Sequence, residues 1–580
     1  MRGACVALFA ALFVAACTQQ VQLDTRLAGL VSISIEPASA TLSITGLDEP
    51  PQTLAFIATG QFSNGTARDV TNLVTWAVDN PLPGAIAADG SYASSNSAAG
   101  HVTVTASSAQ LAATASLTVQ VTATIVDSTF PPPGDPTTLF PSGAAPITGG
   151  GMSAPSVQYP ADGTAFPQGV ASTLVQYAPG MANDSFELTF ANDVLQLVVV
   201  TGASRWSATG PVWSLIAASG IADPIALTVD ATDSTGSGAI YAAPAISLDF
   251  SADSPSGSIY YWSAATNGVM QGALAAPSAG KLYPSTTTCA GCHTVSRDAS
   301  AMAMGYGDEN NPDLATIALP GLQTTIDPGT KIPAGWSTYS PDGSLLLVAA
   351  NGALTLYDAG TGAMRGPVAL PPMKFATHPD WSPDGSAVAV ALTSMMPNDK
   401  DVNGASIALL PFANGTFGPP QMLVATSGMD NAYFPRWSPD GTFIAYVHAT
   451  TSSHAAMSAE LELVAATGGP SIVLANASGT NLADTMPTWA PARGDLAWLA
   501  FSSVRPYGAV MPMQHVAQVW VAGVDLAGAS ATGTDPSFAA FWLPCQDVTV
   551  LNNNPIWSGG VPSVDAGNLP RSGSLYPAWP

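Results

Sequence analysis

Charge is scarce in this chain. Only 9% of its 580 residues are Asp, Glu, Lys or Arg, and 14 Lys and Arg face 39 Asp and Glu, for a formal net charge of −25. That balance repels phosphate backbones and argues against nucleic acid as a partner, while leaving a basic partner open. Histidine is also rare: six in all cannot build a multi-histidine copper centre or a second haem site. Five cysteines, at 5, 17, 289, 292 and 545, make no disulfide framework. No GxSxG, HExxH, P-loop or Rossmann fingerprint occurs. Past the N-terminus, no apolar run reaches the roughly eighteen residues of a membrane span.

Turn formers are plentiful, with 54 Gly and 49 Pro among abundant Val, Thr, Ser and Ala. This composition predicts an all-β chain of three or four domains. Residues 1–16, MRGACVALFAALFVAA, have one Arg, a short apolar run and small residues before Cys17, the pattern of a signal peptide. Val14-Ala15-Ala16-Cys17 resembles a bacterial lipobox, which implies cleavage before Cys17, lipidation of its sulfur and membrane anchoring through that lipid. By the same resemblance Thr18 favours the outer membrane, so the expected location is the cell envelope. Ordinary cleavage with an unmodified Cys17 is the alternative.

Residues 17–29 are then a tether, and 30–121 alternate apolar and polar in short runs, as a small antiparallel sandwich does. The segments VSISIEP (31–37), FSNGTARDVT (62–71), TWAVDN with Trp76, HVTVTA after Gly100, and SLTVQV resemble the bacterial Ig-like group 2 family. The resemblance implies a spacer or stalk, with Trp76 in its core. Residues 122–151, with PPPGDP and GGG, read as a linker. Residues 152–250 read as a second sandwich of Ig or fibronectin type, and 251–284 as a connector carrying closing strands.

From about residue 285 to 565 a repeat governs the chain. Its copies are HTVSRDAS from His293, WSTYSPDG from Trp336, HPDWSPDG from His378, FPRWSPDG from Phe434, MPTWAPAR from Met486 and a truncated NPIWSGG from Asn554. Aligned on the turn they are 44, 42, 56, 52 and 68 residues apart, which is propeller-blade spacing. The copies resemble the TolB-type propeller repeat, most closely at 340–343, 382–385 and 438–441. The expectation is six blades, with Trp381, Trp437, Trp489 and Trp557 packing between them. Closure is expected where the last copy pairs with strands near 258–271, leaving 566–580 as a tail.

One motif carries chemistry. Cys289-Ala290-Gly291-Cys292-His293 sets two thiols three residues apart, matching the vinyl groups of haem, beside an imidazole that can hold its iron. A disulfide or redox pair, or a zinc site, are the other readings of the thiols. The motif resembles that of c-type cytochromes, which implies covalent haem c with His293 as proximal iron ligand. No helical cytochrome domain follows it, because Val295–Met304 belong to the first repeat. Repeat alignment places Cys292 with His378, Phe434, Met486 and Asn554, so the haem is expected at one channel mouth. His378 or Met486 are the expected distal ligands, ahead of His515, Met302 and Met304. Asp399, Asp401, Asn403 and Gly404 form DxDxNG, resembling the start of a calcium loop, though Leu410 stands where its last acid belongs; an Asx-rich turn is the alternative. Cys545 reads as a buried small apolar residue.

The expected function is therefore an exported lipoprotein with one covalent haem, serving electron transfer or redox sensing with a partner the sequence does not identify. The alternative is a TolB-like binding or adhesion scaffold without redox activity, and a haem peroxidase or other haem oxidoreductase stands third.

Overall fold

A computed structural model describes residues 25–109, 111–236, 238–275, 280–283, 289–307, 312–398, 401–453, 458–479, 482–491, 494–511 and 516–559. The leader, Cys17, Asp399, His515 and the tail lie outside these residues. Strands dominate, and among the described residues no helix is long and apolar enough to cross a membrane. The chain forms two compact units, divided between Val121 and Thr122.

In the first unit, short strands alternate exposed and buried side chains, as in Gly100–Ser108, whose hairpin partner begins at Leu111. Ser39–Ile44 joins that partner in parallel, and Leu30–Glu36 pairs with Ile57–Phe62. Trp76 is a core residue: it is 9% exposed, its indole N–H donates to Thr71 O at 3.0 Å, and its ring packs near Phe56.

The second unit opens with the stretch expected as a linker, which is instead tied down. Thr201 Oγ1 donates to Asp127 Oδ2 at 2.9 Å, Gly202 N donates to Phe130 O, and Asp135 caps the short helix Pro136–Leu139. The sheet that follows is built on Ser185–Ala191, between Leu195–Thr201 and Ile225–Thr232. A ten-residue helix, Gly210–Ser219, interrupts the expected all-β pattern. Pro211 opens it, and Trp213, Leu215 and Ile216 bury themselves against the sheet. This domain packs on the sheets that follow: Trp542 N donates to the Tyr159 hydroxyl at 3.0 Å, and the Phe166 and Phe541 rings lie 5.0 Å apart.

Among the described residues, six antiparallel sheets follow. Their inner strands are Cys289–Val295, Trp336–Tyr339, Phe375–Trp381, Asn431–Trp437, Asp484–Trp489 and Asn552–Ser558. Each inner strand touches the next, and the last touches the first, so the sheets form a closed ring. That arrangement is a β-propeller. The last inner strand pairs with Ser258–Ser263, which continues into Gly268–Gly272 and Gly280–Tyr283. Closure at 258–271 is thus present, and it removes the open edge that an unfinished ring would expose.

Local chemistry explains why the three SPDG copies turn alike. In SPDG, the Ser hydroxyl bonds the Asp carboxylate two residues on, at 2.5 Å for Ser340 and 2.7 Å for Ser382 and Ser438. Gly343, Gly385 and Gly441 sit at φ of 72° to 74°, a conformation open to glycine. Earlier in each strand lies a second shared device. Cys292, His378, Phe434, Met486 and Asn554 all adopt φ between 48° and 54°, and the ladder register slips beside each one. A side chain there costs about 1–2 kcal/mol, so the surrounding ring must hold it. Trp336 occupies the matching place in the second strand without the left-handed turn.

Candidate functional site: the central channel of the ring

Two levels of the channel can be separated residue by residue. The first holds the left-handed residues. Trp336, His378 and Phe434 meet there: His378 stacks on Phe434 at 3.8 Å between ring centres, and Trp336 meets both edge-on at 5.0 Å. His378 is 2% exposed, and its Nδ1 accepts from Phe434 N at 3.5 Å. Burial and the nearby Arg436 push its pKa well down, so it is neutral. It serves as an aromatic plug. Met486 at this level is half-buried. Met302 and Met304, also expected as distal ligands, are instead fully buried in the core of the first sheet, because they lie on its second strand.

His293 sits one residue past this level, where the third to sixth strands carry Pro379, Pro435, Pro487 and Pro555. It is 1% exposed and bridges the ring's closing seam. Its Nε2 donates to Tyr260 O at 3.1 Å, and its Nδ1 accepts from Asn554 Nδ2 at 3.3 Å. Burial, reinforced by Arg436 and opposed by the Tyr260 bond, lowers its pKa to about 4. Both ring nitrogens are therefore engaged by protein, and as folded His293 does not fit the role of iron ligand. Cys289 and Cys292 are half-buried and not joined by a disulfide.

The calcium-like loop is braced by other contacts. Thr393 Oγ1 donates to Asn403 O at 2.6 Å, Ser453 Oγ to Asp401 Oδ1 at 3.4 Å, and Gly404 N to Asn431 Oδ1 at 2.6 Å. The last two of these bonds stitch the third sheet to the fourth. Cys545 is buried, as expected, and burial pushes its thiol up to about 12.

The second level, toward the SPDG turns, is open: a cavity of about 190 Å³ receives side chains from all six inner strands. The column that faces it reads Thr294, Thr338, Asp380, Arg436, Thr488 and Ile556. Two of its threonines share one task. Thr338 Oγ1 accepts from Trp381 N at 3.4 Å and Thr488 Oγ1 from Trp557 N at 3.1 Å, each reaching the next strand. Asp380 does the same work with Oδ2, accepting from Trp437 N at 2.8 Å.

Arg436 cannot accept, and its guanidinium crosses the channel. Its Nε donates to Pro487 O at 3.2 Å, and its Nη1 lies 3.4 Å from Pro379 O and from Asp380 Oδ1. Arg297 stands at the rim, with Nη2 donating to Trp381 O at 2.7 Å. Burial raises the Asp380 pKa, and Arg436 and Arg297 oppose it. Sequence reasoning passed over these three residues. For Asp380 and Arg436 the signal was in the repeat alignment: charges in a column that elsewhere carries threonine or isoleucine, in a chain with 9% charged residues.

No family model matches this chain, and no curated protein is similar to it. Solved structures that resemble it include a putative TolB from Agrobacterium tumefaciens, at 18% identity over 52% of this chain and 99% of that one, with a TM-score of 0.30. TolB from Acinetobacter baumannii matches at 14% identity over 58% of this chain and 80% of its own, with a TM-score of 0.35. A dihydro-heme d1 dehydrogenase, NirN, matches at 14% identity over 52% of this chain and 74% of its own, with a TM-score of 0.28. Likeness at this level carries no residue roles to this chain.

Proposed function

We propose that the protein is an envelope-associated propeller scaffold that binds a small ligand in its central cavity. In this reading the six sheets are six blades, the N-terminal unit is an Ig-like spacer, and Cys17 carries the lipid that holds the chain at the outer membrane. The observation that carries it is the cavity itself. All six inner strands contribute to one concave space, and among the described residues the charged groups on its wall come from Arg297, Asp380 and Arg436. A concave site with a few convergent polar groups on a rigid frame is the ordinary form of a recognition site. Its described lining offers two guanidiniums and a carboxylate committed to Arg436, groups suited to holding a ligand.

The test is a screen of small neutral and anionic molecules by melting temperature. The full chain is compared with Thr338→Phe, which fills the cavity from the second strand. Ligands that raise the melting temperature of the parent alone support the reading. If none does, or if Thr338→Phe responds equally, the cavity is not the binding site.

A second reading keeps covalent haem c on Cys289 and Cys292. The partial exposure of both thiols and the CxxCH spacing favour it. It requires His293 to leave Tyr260 and Asn554 before the ring closes. Expression in a host competent for haem attachment, followed by a haem stain after denaturing electrophoresis and a reduced pyridine-haemochrome spectrum, decides it. A colourless chain ends this reading and leaves the scaffold untouched.

A further inference from the structure

Two guanidiniums on one cavity are a large share of the basic groups in a chain with 14 Lys and Arg. Threonine serves at the Arg436 position in three other strands, and in two of them, at Thr338 and Thr488, it accepts a bond from the following strand, which arginine cannot do. Arg436 instead leaves the fifth strand's tryptophan to another contact, Trp489 Nε1 donating to Arg436 O at 3.2 Å.

The guanidinium is held but not used up. Nε and Nη1 are committed to Pro487 O, Pro379 O and Asp380, whereas the N–H groups of Nη2 have no bond to any described residue. The side chain is 12% exposed, so what remains accessible faces the cavity. Arg297 likewise bonds protein through Nη2 alone among the described residues. Asp380 is the opposing charge. One of its oxygens is taken by Arg436 and the other by Trp437 N, so it compensates one guanidinium and leaves the other unbalanced. The remaining wall mixes threonines and prolines with the indoles of Trp437, Trp489 and Trp557.

From this we infer that the cavity takes a small organic carboxylate, its anionic end on Arg436 and Arg297 and its apolar part against the indoles. The inference rests on the cavity being the binding site, as proposed above. A planar carboxylate matches the fork of N–H donors that a guanidinium presents. Indole faces favour a flat apolar body. A space of about 190 Å³ is below the range of drug-sized pockets, which limits the guest to a monocarboxylate of few heavy atoms.

The probes are phenylacetate and phenylacetamide, matched in shape and differing in charge. They are titrated into the full chain while intrinsic tryptophan fluorescence is followed, because three of the wall residues are indoles. Phenylacetate is expected to bind at least about tenfold more tightly than the amide, the worth of one charge-assisted hydrogen bond. Arg436→Gln and Arg297→Gln should each erase most of that preference, while Lys374→Gln, on a loop bonded to Ser394, should leave it intact. Arg297→Gln is the safer variant, since Arg297 is exposed and Arg436 ties three strands together. Equal binding of acid and amide, or an acid preference that survives Arg297→Gln, overturns the carboxylate assignment while leaving the cavity as binding site. Binding of neither probe overturns the assignment too. The Thr338→Phe comparison then tells whether the cavity binds anything at all.

Discussion

The ring channel has two levels built from equivalent backbone positions, and they behave in opposite ways. At one, Cys292, His378, Phe434, Met486 and Asn554 stand at the bulge with Trp336 at the matching place, and the rings of Trp336, His378 and Phe434 pack on one another. Two residues further on, Thr294, Thr338, Asp380, Arg436, Thr488 and Ile556 leave a cavity. The frame is the same at both, so the side chains alone decide which level closes and which stays open. The motif that draws the eye in the sequence, CxxCH, lies at the closed level. The groups able to recognise a ligand lie at the open one.

If the plug holds the ring together, opening it is costly. Trp336→Ala removes the indole that meets both His378 and Phe434 and leaves a void that these rings cannot fill without breaking their own stack. The expected loss is about 3–5 kcal/mol in urea unfolding. The matching change at the open level, Thr488→Ala, removes one hydrogen bond to Trp557 N and should cost about 1 kcal/mol. Equal losses would mean that the two levels are packed alike and that the contrast is mistaken.

Acid sharpens the same contrast. His293 is neutral in the folded ring, with its pKa lowered from 6.5 to about 4, whereas in the unfolded chain it takes up a proton below 6.5. The stability it supports is therefore complete above pH 6.5 and is lost as the pH falls from 6.5 toward 4. That loss amounts to roughly 3 kcal/mol. Asp484, whose pKa burial raises to about 6, acts in the other sense, and His378, pushed well down by burial, acts in the same sense, so the parent's net slope does not isolate His293. Comparing parent and His293→Asn isolates it: unfolding free energies measured across this window should fall less steeply in the variant by about that amount. An unchanged slope would show that His293 is not the buried neutral clasp of the closing seam.

Much of this architecture is written locally, and that part was legible. Each SPDG copy states its turn within four residues, and the truncated copy at Asn554 told where the ring must close. The repeat alignment also paired Cys292 with His378, Phe434, Met486 and Asn554, the residues whose backbones share one left-handed turn. What escaped depends on distant residues. His293 is silenced by Asn554, 261 residues away, and by a carbonyl at Tyr260, neither of which a CxxCH motif mentions. The helix Gly210–Ser219 was hidden because its buried face reads like a core strand. Met302 and Met304 read as sulfur ligands because composition does not say which strand of a blade faces the axis.

The smallest expected effect reaches the motif itself. Cys292 holds a φ of 48°, a region that disfavours any residue with a Cβ. Its side chain is half-buried, so truncation alone should cost little. Cys292→Ala keeps the Cβ and its strain, and Cys292→Gly removes both. Glycine is normally the worse choice in a strand, because it loses more freedom on folding. Here the order should reverse, with Cys292→Gly more stable than Cys292→Ala by about 1 kcal/mol in urea unfolding. The same pair made at Ala290, two residues earlier in the strand and at ordinary φ, should show alanine ahead. If alanine is also ahead at 292, the first strand lacks the bulge that its sequence shares with the third to sixth. Cys292 would then not stand at the plugged level, and the grounds for setting His293 in the closing seam would fall with it.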